Sequence, residues 1–238
     1  MKYQIYPSYL LRVEQLLGAR HYYNPQIRAK RLYFEGLVLR HFALEQGDST
    51  LLKMALSKQQ EANSLQEGAS YILNEIGVNY FLLGDLGSAE QNFVSATWHS
   101  PGWSVPYYNL STLFRYQDPS KAIRLARHAV NLSPGSGLLN YRLGVLYLDS
   151  KKYDRAEEYF KKAISFHYYN PEVYYNLACV LSLQMKENEA FLELDRAIQK
   201  GFNDYDLIQR DADLNTLKQQ KEKWLNLMKK HFPDQIKD

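Results

Sequence analysis

The chain has 238 residues, 45% of them hydrophobic and 23% charged, which is ordinary for a soluble protein. A net charge of +3 is too small to point to nucleic acid or an anionic membrane. The single cysteine, Cys179, excludes an intramolecular disulfide and fits a reducing compartment. No apolar run approaches the roughly 20 residues of a membrane span. The opening Met1–Pro7 shows no secretion signal, so a cytoplasmic location is expected.

Residues 7–19 predict a leading helix, with Leu10, Val13 and Leu17 at helical spacing. His21-Tyr22-Tyr23-Asn24-Pro25 then recurs as His167-Tyr168-Tyr169-Asn170-Pro171. In both places Asn suits a helix cap and Pro the first helical position. Residues 26–46 and 49–66 predict an antiparallel helix pair. Gly36 is followed by Leu39, Gly47-Asp48 supplies the turn, and Ala55 falls where a closing alanine would sit. The leading helix and this pair together occupy 7–66.

From residue 70 a period emerges. Ala89, Phe93 and Ala96 form one stripe, followed by Ala122, Ala126 and Ala129, by Ala156, Phe160 and Ala163, and by Ala190, Leu194 and Ala197. The lead alanines step by about 34 residues each time, the mark of stacked repeats. A second signature keeps step: Ile76-Gly77 with Tyr80, Leu110-Ser111 with Phe114, Leu143-Gly144 with Tyr147, and Leu177-Ala178 with Leu181. The small residue lets two helices approach closely, and the large residue three positions on packs on the same face. Gly77 follows Gly36 by more than one such period, so 26–66 is expected to be a divergent repeat with a longer second helix. Turns at Gly84-Asp85, Asp118-Pro119, Ser150-Lys151 and Lys186-Glu187 separate the helices of each later pair. Asp118 suits an N-cap with Pro119 at the first helical position, and Pro101 and Pro134 stop the second helices.

These two signatures resemble the tetratricopeptide repeat over about 70–203, best over Tyr174–Ala197 and nearly as well over 139–166. The resemblance implies an all-α, right-handed α-solenoid of helix-turn-helix repeats at 70–102, 103–135, 137–170 and 171–203, in a single domain of 1–238. Departures are Ala126 and Leu194 in place of an aromatic, and Lys151 in place of the turn glycine. The last two repeats lack a closing proline at the usual place. Residues 204–238 read as a capping segment: a loop over 204–217, then one amphipathic helix over 214–231. In that helix Leu214, Leu217, Trp224, Leu225 and Met228 share a face opposite Lys218, Lys223, Lys229 and Lys230. Terminal repeats need such a polar outer side.

No catalytic constellation stands out. The six histidines have no metal-ligand spacing, and His41 with Glu45 reads as a helical surface pair. No phosphate loop or nucleophile elbow is present, and no cofactor or metal is expected. Cys179 reads as a small packing residue.

By the resemblance, the first helix of each repeat lines a concave groove. It would present Asn74, Val78 and Phe81, then Tyr108, Asn109, Thr112 and Arg115, then Tyr141, Arg142, Val145 and Leu148, then Tyr175, Cys179 and Ser182. Tyr108, Tyr141 and Tyr175 occupy equivalent places and are expected to stack as a ladder suited to peptide recognition. The chaperone-carboxylate clamp of some family members would need Lys, Asn, Asn, Lys and Arg. Here Asn74, Val78, Asn109, Leu138 and Arg142 stand there, so only Asn109 and Arg142 match and no such clamp is expected. The chain is therefore expected to be a non-enzymatic scaffold for a peptide or partner domain. Two alternatives remain open: a nucleic-acid-binding repeat leaning on Lys121, Arg124, Lys218 and Lys229, and an accessory subunit of an enzyme assembly. Neither the partner nor the oligomeric state follows from the sequence.

Overall fold

A computed structural model describes residues 24–236. It divides into two compact units, Met1–Leu113 and Phe114–Asp238. The first contains α1 (Pro25–Gln46), α2 (Ser49–Leu65), α3 (Ser70–Leu82), α4 (Leu86–His99) and α5 (Ser104–Phe114) up to its last residue. The second contains α6 (Pro119–Leu132), α7 (Gly137–Asp149), α8 (Tyr153–Ser165), α9 (Pro171–Leu183) and α10 (Glu187–Gln199). It ends with α11 (Tyr205–Arg210), α12 (Asn215–Gln219) and α13 (Lys221–His231). No strand occurs among the described residues, and successive helices pair within each unit. The leading helix expected over 7–19 lies outside the described residues.

Local chemistry sets the helix starts. Asn24, Asp48, Asp85, Asp118, Ser136 and Asn170 each accept a hydrogen bond from a backbone N–H in the first turn that follows. Each such cap is worth about 1 kcal/mol. Pro25, Pro119 and Pro171 occupy first-turn positions where a missing N–H costs nothing. Between paired helices the chain turns through a left-handed residue: Gly47, Gly84, Lys151 and Met185.

The alanine stripes are the core of the hairpins. Ala89, Phe93 and Ala96 are buried in the first unit, and Ala156, Phe160, Ala163, Ala190, Leu194 and Ala197 in the second. The small residue opposite works as its spacing implies. A Cβ on Gly77 would stand 2.7 Å from the Phe93 ring, and one on Gly144 would stand 2.7 Å from the Phe160 ring. Real Cβ atoms do not approach so closely, so only glycine permits these contacts.

The α1–α2 pair repeats this geometry in a different register from the one expected. Gly36 faces Gln59, whose Cγ would lie 2.6 Å from a Cβ there. Ala55, Gln59 and Ala62 are fully buried and spaced like Ala89, Phe93 and Ala96, so Ala55 leads its stripe and does not close it. The step from Ala55 to Ala89 equals that from Ala122 to Ala156, so the alanine period extends back one cycle. The extra length sits at the turn end of both helices, not in the second alone. Gly36 stands further ahead of Gly47 than Gly77 does of Gly84, and Ala55 stands further past its turn than Ala89 does. The turn-side arm of each helix is longer by about one turn, which preserves the packed faces, and α1 also starts about one turn further ahead of its glycine than α3 does.

The C-terminal segment also departs from expectation. The stretch expected as loop contains α11, capped by Asp204, and a 3₁₀ turn at Ala212–Leu214. The single helix expected over 214–231 is two, because Gln220 leaves helical geometry at φ −82° and ψ 67°. Its side-chain amide donates to Glu187 on α10. Leu214, Leu217 and Met228 are buried as expected, whereas Leu225 faces outward. The expected lysine face is partly tied down: Lys223 reaches Asn188, Lys230 reaches Asp195, and His231 reaches the same carboxylate.

Candidate functional site

In the first unit the expected groove residues divide into a stacking contact and an open face. Asn74 is buried, accepting a 2.8 Å hydrogen bond from the Asn109 side chain and donating to Glu75. This contact joins α3 to α5, so Asn109 spends its amide inside the fold. Val78, Tyr108 and Thr112 are half-buried, and Phe81 is exposed. The Thr112 hydroxyl donates to the Tyr108 carbonyl, as does that of Ser111.

In the second unit two rungs of the expected ladder lie inside. Tyr141 and Tyr175 are each only 5% exposed. Their rings stack on Tyr168 and Phe202, each just past the second helix of the same hairpin, rather than on one another. The Tyr141 hydroxyl donates to Glu172 at 3.2 Å and accepts from Asn176 at 3.1 Å. The Tyr175 hydroxyl donates to Asp211 at 2.5 Å. Burial first, then the neighbouring charged groups, raise both hydroxyls above the ordinary tyrosine range, so they remain protonated donors. These tyrosines fasten α7 to α9 and α9 to the C-terminal segment.

Cys179 and Ser182 share that covered face. The Cys179 thiol is buried, lies 3.6 Å from Asp211, and is pushed up by burial and by that carboxylate. A protonated, enclosed thiol is a packing residue, not a nucleophile. Ser182 pairs with Thr216. Tyr141, Tyr175, Cys179 and Ser182 therefore have no face for a partner, for one reason: α9 covers α7, and the C-terminal segment covers α9.

What remains open on α7 is Arg142, exposed, with half-buried Val145 and Leu148. The Arg142 guanidinium lies 5.7 Å from the Tyr141 ring centre. Leu138, considered from sequence only as a clamp position, is 42% exposed one turn before Arg142.

Arg115 lies apart from this face. Its guanidinium grips Asp149 with two hydrogen bonds of 2.6 and 3.1 Å. The pair borders a cleft of about 550 Å³ lined by Arg115, Tyr116, Pro119, Ser120, Ile123, Asp149, Ser150 and Lys152. Tyr116 is 82% exposed there, with the Arg115 guanidinium 5.2 Å from its ring centre. Sequence reasoning placed Arg115 in the groove and missed the cleft, because its walls come from the turns of two successive repeats.

The other candidates resolve into ordinary contacts. His41 Nε2 and Glu45 Oε1 lie 3.5 Å apart on an exposed helix face, and no group of three or more His, Cys, Asp or Glu among the described residues could hold a metal ion. Lys218 donates to the Asp211 carbonyl at 2.6 Å, and Lys121 sits 3.4 Å from the Phe114 ring centre, so these two cations have partners inside the fold. No described helix is long and apolar enough to cross a membrane.

Residues 139–166, the α7–α8 hairpin, match the family model of the tetratricopeptide repeat. No curated protein matches the chain significantly. Among solved structures, PilF of Pseudomonas aeruginosa is similar at TM-score 0.71 and 17% identity, over 88% of this chain and 94% of that one. TTC0263 of Thermus thermophilus is similar at TM-score 0.60 and 19% identity, over 79% and 98%. YrrB, described as a TPR protein with an unusual peptide-binding site, is similar at TM-score 0.55 and 20% identity, over 76% and 89%. These likenesses extend the tetratricopeptide fold beyond the matched hairpin.

Proposed function

We propose, on the premise that the chain carries the tetratricopeptide-repeat fold, that it is a non-enzymatic scaffold binding a peptide segment or partner domain on the first-helix faces of its repeats. One observation carries this reading. The first helices leave Phe81 exposed with half-buried Val78, Tyr108 and Thr112 in the first unit, and Leu138 and Arg142 exposed with half-buried Val145 in the second. Apolar anchors next to a cation suit a partner with apolar side chains and an acidic group. That a solved protein of like fold is described as having a peptide-binding site supports the same reading. A cytoplasmic location and the absence of a cofactor belong to this proposal.

The test uses exposed residues, since Tyr141→Ala would damage the stacking of α7 on α9. Peptides selected from a random display library against the purified protein are expected to lose about tenfold in affinity for the Leu138→Ala, Arg142→Ala double variant. The circular dichroism spectrum should not change. Undiminished binding by the folded double variant would sink the assignment.

A further inference from the structure

We propose that the cleft beside Arg115 is a recognition point for a glutamate or aspartate side chain in an acidic, partly apolar segment of a protein partner. The inference rests on the reading of the chain as a protein-binding scaffold, and gives that reading a second site with its own chemistry.

Charge argues for an acidic occupant. Arg115 and Lys152 supply two cations, and Asp149 the only lining carboxylate. Ser150 also lines the cleft. The walls are not wholly polar: Ile123 is among them, and the Tyr116 ring stands almost fully exposed. An apolar residue next to the acidic one would pack against that ring.

Asp149 already shows how a carboxylate seats here. Its two oxygens take the parallel N–H donors of the guanidinium, the geometry arginine offers to any carboxylate. The side chains of Arg115 and Asp149 are 32% and 34% exposed. Both side chains are reachable from solvent, and Asp149 uses only Nε and Nη2, so an incoming carboxylate can compete with Asp149 for the guanidinium or take its remaining N–H donors. Asp149 then acts as an internal competitor, and its removal should improve binding.

The experiment titrates full-length protein with a terminally blocked peptide alternating glutamate and leucine, against its glutamine-leucine counterpart and inorganic phosphate. The glutamate peptide is expected to bind, to bind about fivefold tighter to the Asp149→Asn variant, and to lose measurable binding to Arg115→Gln. The gain in Asp149→Asn cannot come from misfolding, so it guards against a damaged Arg115 variant. Equal binding of the glutamine peptide, or no gain in Asp149→Asn, overturns the proposal. Displacement of the peptide by phosphate at equal concentration would reveal a small-anion site only, and overturns it too. Library peptides that depend on Leu138 and Arg142 serve as a parallel control: if they bind while the glutamate peptide does not, the cleft fails and the scaffold reading stands.

Discussion

The α1–α2 hairpin and the α7–α8 hairpin meet one geometric requirement with opposite chemistry. In each, a glycine of the first helix admits a long side chain from the second. Gly144 admits the Phe160 ring, and Gly36 admits the Gln59 amide. The polar choice extends around Gln59. Its carbonyl accepts from the Asn79 amide at 2.6 Å, and Glu35, 4% exposed, is held by Arg31 and Lys58. Those two cations outweigh burial and keep the Glu35 carboxyl below its ordinary range. The turns are exchanged in the other direction: α1–α2 uses Gly47, and α7–α8 uses Lys151. The repeat thus specifies a shape, a small residue facing a long one between two alanines. The chemistry filling it varies, and the polar version leaves Gln59 Nε2 and Asn79 Oδ1 buried without hydrogen-bond partners.

The largest test of that contrast is truncation of the two fillers. Phe160→Ala should cost about 3–5 kcal/mol, the range for a buried aromatic that leaves a cavity. Gln59→Ala should cost about 1–3 kcal/mol, chiefly because the Asn79 amide is left unpaired. Urea denaturation gives the totals, and amide hydrogen exchange shows which hairpin opens. Equal losses would mean that the difference in chemistry between the two fillers makes no difference to stability.

A smaller effect tests the pairing directly. Gly144→Ala forces a methyl into the Phe160 ring and should cost about 1–3 kcal/mol. The α9–α10 hairpin shows the remedy, since it carries Ala178 and Leu194 at the equivalent places, both fully buried. Adding Phe160→Leu to Gly144→Ala should therefore recover much of the loss, a non-additive pair in a double-mutant cycle. Simple additivity would break the claim that these positions pack as a unit.

Most of the fold was legible because the alanine stripe and the small residue opposite both answer to one packing contact. The helix starts were legible because capping needs a side-chain oxygen or a proline at one place. The register of α1–α2 was not, because Gln59 looks like a surface residue and the longer hairpin displaced Gly36 from the period. Gln220 gave no warning either. Nothing in its type breaks a helix; its contact with Glu187, one repeat earlier in the chain, accompanies the break. For the site, the period located Tyr141 and Tyr175 on the right helices but not their exposure. That depends on Tyr168, Phe202 and Asp211, which belong to segments with no strong periodicity. Phe81 and Arg142 are exposed and Val145 half-buried, whereas Arg115 and Asn109, at the places equivalent to Phe81 and Arg142, are engaged by Asp149 and Asn74.

The smallest effect concerns the turns. Lys151 holds φ 56° where Gly84 holds φ 85° in its own hairpin. A left-handed conformation costs a residue with a Cβ about 1–2 kcal/mol. Glycine removes that cost but gives back about 0.4–1 kcal/mol through the freedom it adds to the unfolded chain. Lys151→Gly should then stabilise the protein by about 0.5 kcal/mol, seen as a higher urea midpoint at unchanged slope. Met185→Gly, with φ 62° at the next turn, should do the same. Gly84→Lys is the reverse experiment and should lose at least as much, because nothing within 4 Å of its Cβ position offers a compensating contact. If Lys151→Gly instead destabilises, the lysine stem is contributing packing at the turn, and the difference between the hairpins lies in contacts and not in backbone strain.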